Sequence, residues 1–170
     1  RGGEECQVLA QQQIAYEVVP GISAANGVSA YTGIPLTHRG LAQGVSYLSA
    51  EALDDSEVCR ALVSSRQTLV LYMGLSRLHL SAEQLIQGGM GAQTPLALIS
   101  AGTTTAQQVL RTTVGKAQGG LDVAGLGSPA LVIVGPVVDL HRQLAWFSGT
   151  KLASQEQLDA VFCAPPSVAK

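Results

Sequence analysis

Positive charge is what this chain lacks most plainly: Lys and Arg together number 10 against 12 Asp and Glu, the formal net charge is −2, and the only lysines are Lys116, Lys151 and Lys170. A nucleic-acid binder needs a concentrated basic field to displace phosphate counterions, and none is present, so no nucleic-acid partner is expected. Cys6, Cys59 and Cys163 stand far apart, with no CxxC pair and no neighbouring His. Neither a zinc centre nor a disulfide scaffold is supported, and no metal is expected. The longest apolar run, around Pro129 to Val138, is interrupted by Gly135 and Pro136. It falls short of the roughly 18–20 residues that a bilayer-spanning helix needs. With no membrane segment and no visible signal peptide, cytoplasmic residence is the expectation. Neither a Walker motif nor HExxH occurs, and Gly21-Ile22-Ser23-Ala24-Ala25 has Ala where a nucleophile elbow needs Gly.

What the chain does have is a hydrophobic content of 46% over 170 residues, enough for an ordinary globular core. Helical character over Glu4–Gln13 leads to a short strand, Tyr16–Val19, and a small-residue helix from Ser23 to about Ala30. Gly33, Pro35 and Gly40 then punctuate the chain, and a domain boundary is expected near residue 40. Beyond it the reading alternates, which makes the fold class α/β. Strands are expected at Val45–Ser49, Thr68–Met73, Leu96–Ser100, Gln107–Thr113 and Ala130–Val134. Helices are expected at Ser56–Ser64, Ser76–Gln87, Gly115–Val123 and Val137–Phe147. Leu69-Val70-Leu71 and Leu131-Val132-Ile133-Val134 have no polar face and should be central strands covered on both sides. Residues 148–170, with Ala164-Pro165-Pro166-Ser167, read as a tail.

The junction Val18-Val19-Pro20-Gly21-Ile22-Ser23-Ala24-Ala25 has two readings on local physics. Ser23 is a good N-cap for a plain β-turn-α connection. Equally, small residues beside exposed helix-terminal amides allow a ligand to approach the backbone. Met73, where an apolar strand meets Gly74, is either core filler or a group at a sheet rim, where α/β proteins bind ligands. Gly102 is a turn glycine or a point of close backbone approach. His38 and Arg39 form the one dense polar cluster beside an apolar strand. His79 and His141 have no partner at ligand spacing and are expected to be exposed, and Trp146 with Phe147 reads as a hydrophobic anchor or subunit contact.

Read as whole strings, these pieces resemble the uroporphyrinogen-III C-methyltransferases of the tetrapyrrole methylase family, including the C-terminal module of sirohaem synthases. Val18 to Arg39 is similar to VPGITAA…AYAGIPLTHR, Gln67 to Gly74 to QTLVxYMG, and Thr94 to Thr103 to TPxAxISxGT; Ser128 to Val138 and Leu144 to Phe147 complete the series in order. The resemblance covers nearly everything from Arg1 to Phe147. It implies a tetrapyrrole-methylase-like α/β fold, with residues 1–40 a remnant of the N-terminal methylase domain, 41–147 the C-terminal domain and 148–170 a tail. The family's GGDPFxFG loop, its early Gly-Pro-Gly turn and its acidic residue are not in this sequence. The chain is therefore expected to be a C-terminal piece carrying half of an active site, silent by itself, with its catalytic group unknown.

The activity so implied is methyl transfer from S-adenosyl-L-methionine, leaving S-adenosyl-L-homocysteine, to uroporphyrinogen III to give precorrin-2, on the route to sirohaem and cobalamin. By the same resemblance Ser23, Ala24, Met73, Gly102, Pro129 and Ala130 bind the cofactor, and Arg39 holds substrate carboxylates. The small-molecule tetrapyrrole is the partner, and the full-length enzyme is expected to be a homodimer. Two alternatives stand beside it: a methyltransferase of the same superfamily acting on another precorrin or acceptor, and a non-catalytic folding or dimerisation module.

Overall fold

In a computed structural model the described residues are 2–123 and 125–147, so the expected tail at 148–170 and Cys163 lie outside them. Five strands form one mixed sheet in the order β1-β2-β5-β3-β4: β1 (Val45–Ser49), β2 (Thr68–Tyr72), β3 (Pro95–Ser100), β4 (Gln108–Thr113) and β5 (Ala130–Val134). β1 and β2 run parallel, whereas β5 is antiparallel to both β2 and β3, and β4 is antiparallel to β3. The two all-apolar runs occupy β2 and β5, and Leu69, Val70, Leu71, Val132, Ile133 and Val134 are all buried.

Side chains alternate across the sheet with period two, and this sorts the core into two clusters. On one face Leu69, Leu71, Leu96, Leu98, Val132 and Val134 meet Leu53 and Leu85. The covering elements are a 3-10 turn (Ala50–Asp54), α3 (Ser56–Ser64), α4 (Leu78–Gln87) and α5 (Val114–Gln118). On the other face Val70, Ala97, Ile99 and Ile133 meet Ala25 and Val28 of α2 (Ala24–Thr32), together with Ile34 and Val137. The helix α1 (Gly3–Gln11) buries none of its residues.

Three expectations are corrected. Tyr16–Val19 is not a strand: no described strand pairs with it, and every residue from Gln11 to Ala24 is exposed, Ile22 by 84%. With no ladder partner and a following Pro, this exposed run leaves its backbone groups to water rather than to a sheet. The helix expected over Val137–Phe147 is a 3-10 turn (Pro136–Leu140) followed by the single turn α6 (His141–Leu144). At Ala145 the backbone turns extended (φ −63, ψ 116), the absent side chain of Gly33 leaves room for the Leu144 carbonyl, and Trp146 and Phe147 fold back onto Tyr31 at ring-centroid distances of 5.3 and 4.9 Å. The helix after β4 stops at Gln118, ahead of the Gly119-Gly120 pair with Gly120 at φ 91.

Candidate functional site

Strand register builds the site. Tyr72 at the end of β2 pairs with Leu131, and Ser100 at the end of β3 pairs with Ala130 at the start of β5. Because β5 runs against both neighbours, its entry lies beside their exits. Residues 73, 101–102 and 129–130, distant in sequence, therefore share one rim of the sheet. A cleft of about 690 Å³ opens there, lined largely by apolar atoms, with Val28 of α2 as one wall and Leu75, Val123 and Leu126 as others. Its volume lies within the roughly 300–1,000 Å³ of small-molecule sites.

The rim is conformationally strained. Met73 (φ 55), Ala101 (φ 48) and Thr103 (φ 69) are non-glycine residues in the left-handed region. Each such residue costs on the order of 1–3 kcal/mol, and such residues cluster at ligand sites. Two side-chain bonds hold the loops in shape: Ser100 Oγ donates to the Gly127 carbonyl at 2.7 Å, and Thr104 Oγ1 donates to the Ala101 carbonyl at 2.7 Å. Met73 is 62% exposed, which removes the core-filler reading.

Of the residues singled out in the sequence, Ala24, Met73, Gly102, Pro129 and Ala130 line this one cleft. Ser23 stands at its mouth as N-cap of α2, its Oγ 2.6 Å from the hydroxyl of Tyr72, which does line the cleft. Gly102 is not in the left-handed region; a Cβ there would come 2.5 Å from Val28 Cγ2. The missing side chain is thus required first by the docking of α2. Arg39 is elsewhere. It sits exposed in a turn closed by the His38–Ala42 bridge, in a separate hollow with Thr37, His38 and Gln43.

Other groups sequence reasoning missed. Tyr72, Leu75, Ser76, Ile99, Thr104 and Leu126 also face the cleft. For Tyr72 the signal was present, since it immediately precedes Met73 in the recognised string; Leu126 lies in a loop with no pattern to mark it. His141 is corrected: it is half-buried, and its Nδ1 donates to the Thr32 carbonyl at 2.6 Å. Trp146 serves as an anchor, its indole N–H donating to the Ala30 carbonyl at 2.7 Å. The shifted titratable groups lie away from the cleft. Burial pushes the Cys59 thiol up. The Asp54 carboxyl is held below its ordinary value chiefly by the Gln84 amide, with Arg77 adding to it. Among the described residues no group of three or more His, Cys, Asp or Glu could hold a metal, and no helix is long and apolar enough to cross a membrane.

Sheet order, rim and cleft together describe an α/β domain with a small-molecule site at the strand ends. The family model of Tetrapyrrole (Corrin/Porphyrin) Methylases matches residues 1–118, and the chain belongs to that family. Among curated relatives it is 45% identical over 159 residues to the siroheme synthase of Stutzerimonas stutzeri, covering 91% of this chain and 34% of that protein. It is 46% identical over 165 residues to siroheme synthase 2 of Yersinia enterocolitica, covering 95% and 34%. Among solved structures, the uroporphyrin-III C-methyl transferase from Thermus thermophilus complexed with S-adenyl homocysteine matches at TM-score 0.66 and 30% identity, over 82% of this chain and 61% of that one. The chain spans about a third of the length of these curated relatives.

Proposed function

We propose that this chain supplies the cofactor-binding cleft of an S-adenosyl-L-methionine-dependent uroporphyrinogen-III C-methyltransferase, forming precorrin-2 for sirohaem or cobalamin synthesis. The observation that carries the reading is the convergence of Met73, Gly102, Pro129 and Ala130, with Ala24 of α2, on one cleft. A relative of the same fold is described as a complex with S-adenyl homocysteine, which supports the choice of ligand.

The cleft fits such a cofactor. It is large enough, and its apolar walls at Leu75, Val123 and Leu126 suit a flat aromatic base, while Ser76, Thr104 and Ser128 offer hydroxyls. When bound, S-adenosylmethionine supplies a sulfonium methyl group for in-line displacement by a nucleophilic carbon. Pro129 and Ala130 hold the ligand from the β5 side, and Met73 projects over the rim from β2. Gly102 keeps one wall low and Val28 closes the space behind it. Ser23 and Ala24 set the mouth at the start of α2, and Arg39 takes a carboxylate of the acceptor outside the cleft. Seven arginines against three lysines suit a polycarboxylate, because a guanidinium binds carboxylate through two parallel hydrogen bonds.

The reading includes a division of labour in which residues 1–40 belong with one methylase domain and 41–147 form the second, and a whole enzyme that is a cytoplasmic homodimer. Its test is calorimetric titration of the chain with S-adenosyl-L-homocysteine, repeated with Met73→Ala. Saturable binding that weakens in the variant is expected. Absence of binding by a chain shown to be folded would overturn it. A protein of the relatives' full length, assayed with uroporphyrinogen III, tests the acceptor and, by sedimentation, the dimer.

A further inference from the structure

Two tyrosines on adjacent strands reach the first turn of α2. Tyr72 at the end of β2 places its hydroxyl 2.6 Å from Ser23 Oγ and 3.4 Å from the Ala25 amide nitrogen. Tyr47 on β1 donates from its hydroxyl to Asn26 Oδ1 at 3.0 Å. Upstream of this point the chain is untethered: Tyr16, Val18, Val19 and Ile22 are exposed, and the last backbone bond before Ser23 is that of the Ile14 amide to the Leu9 carbonyl. Among the described residues, the Tyr72–Ser23 pair is therefore where the exposed arm becomes fixed to the sheet. It is also where the cleft begins, since Tyr72 and Ala24 both line it and Met73, the next residue along, carries the strained rim.

We infer that Tyr72 is a positioning residue, a hydroxyl clasp that sets the start of α2 against the Met73 rim and so fixes the width of the cleft mouth for its ligand. This rests on the cofactor reading above. The Tyr72 ring packs against the cluster of Val70, Ile99 and Ile133, and only its hydroxyl joins the N-cap, so loss of the bond alone leaves both sheet clusters in place. A hydroxyl is needed, not an aromatic ring. Phenylalanine keeps the ring against the sheet and removes only the bond.

The experiment is a double-mutant cycle in the full 170-residue chain, with S-adenosyl-L-homocysteine as the probe. Tyr72→Phe, Ser23→Ala and the double variant are titrated calorimetrically, with Tyr16→Phe as a control on the exposed arm. Each single clasp variant should weaken binding about three- to tenfold, the range expected for one hydrogen bond. The double variant should lose less than the product of the two single effects, because both substitutions remove the shared Tyr72–Ser23 bond while each also removes its own contact to the Ala25 amide. Amide exchange at Ala25 to Gly27 should quicken in both single variants while strand amides keep their protection. Binding by the wild-type chain that Tyr72→Phe leaves unchanged, or effects of the two substitutions that simply multiply, overturns the clasp alone. No binding by the folded wild-type chain overturns the clasp together with the cofactor reading. Ser23→Ala, at an exposed position, keeps the test open even if Tyr72→Phe does not fold.

Discussion

The two faces of the sheet are covered by different means. One carries α3, α4, α5 and a 3-10 turn over a cluster built from large aliphatics such as Leu53, Leu69, Leu85, Leu96 and Leu98. The other carries the short helix α2, whose buried positions are only Ala25, Val28 and Thr32. α2 sits close enough to the loop after β3 that a Cβ on Gly102 would come 2.5 Å from Val28 Cγ2, and Gly33 at its end leaves room for the Leu144 carbonyl. What bulk would supply elsewhere is supplied here by clasps at both ends: Tyr72 and Tyr47 at the first turn, and His141 and Trp146 on the last carbonyls. The first face is closed chiefly by helices. The cleft opens at the rim, where α2 meets Leu75, Val123 and Leu126, residues that pack against the first face's cluster.

The contrast can be broken most forcefully on the aliphatic side. Leu98→Ala removes a fully buried side chain and should cost about 2–5 kcal/mol in urea unfolding, with the slope of the transition unchanged. On the α2 side, Gly102→Val should cost less, about 1–3 kcal/mol, because the helix can shift away from the new side chain. Val28→Ala added to it should recover part of that loss, since Val28 Cγ2 is the atom the new side chain meets. Recovery that fails to appear would mean that the two residues do not face each other.

At the rim the effects on folding shrink while those on binding remain. Met73→Ala should change stability by less than about 0.5 kcal/mol, because the side chain is mostly exposed, yet it should weaken S-adenosyl-L-homocysteine binding. Met73→Gly should stabilise the chain by at most about 1 kcal/mol through relief of the left-handed backbone. Both are read by urea midpoint and calorimetry.

The smallest effect concerns Cys59, buried on the closed face with its thiol donating to the Gln84 carbonyl at 3.3 Å. Burial raises its pKa above the ordinary value of 9.0, so above that pH the folded chain holds a proton that the unfolded chain has released. Its contribution is complete below pH 9.0 and is lost as pH rises beyond it. Cys59→Ala should therefore flatten the fall in urea midpoint as pH rises above about 9. A thiol reagent should modify partly exposed Cys6 well before Cys59.

Much of this was legible in the sequence for a simple physical reason. Strands such as Leu131 to Val134, buried on both faces, leave an unbroken apolar record, and the strings around Met73 and Gly102 marked residues that do meet in one cleft. What stayed hidden depends on contacts between distant residues. Nothing local shows that Tyr16–Val19 has no strand to pair with, or that Gly33 makes room for the Leu144 carbonyl. Gly102 reads as a point of close approach to a ligand, but its closest constraint is Val28, a contact created only when α2 docks. Arg39 reads beside the other motif residues and lies in another hollow, because adjacency in a string says nothing about where a turn points.

The position of β5 also has a consequence in time. It separates β2 from β3 in the sheet, yet among the described strands it is the last that the ribosome releases, and the Trp146 bond to Ala30 spans 116 residues. At roughly 5–20 residues per second, α2 emerges on the order of 6–23 s before the indole that finishes its far end. Within that interval, from the completion of β4 until β5 follows, the nascent chain holds two unjoined pieces of sheet, with Val70 and Ile99 still waiting for their common neighbour. A chaperone that shields apolar strands would find them uncovered then, and the release of β5 would end it.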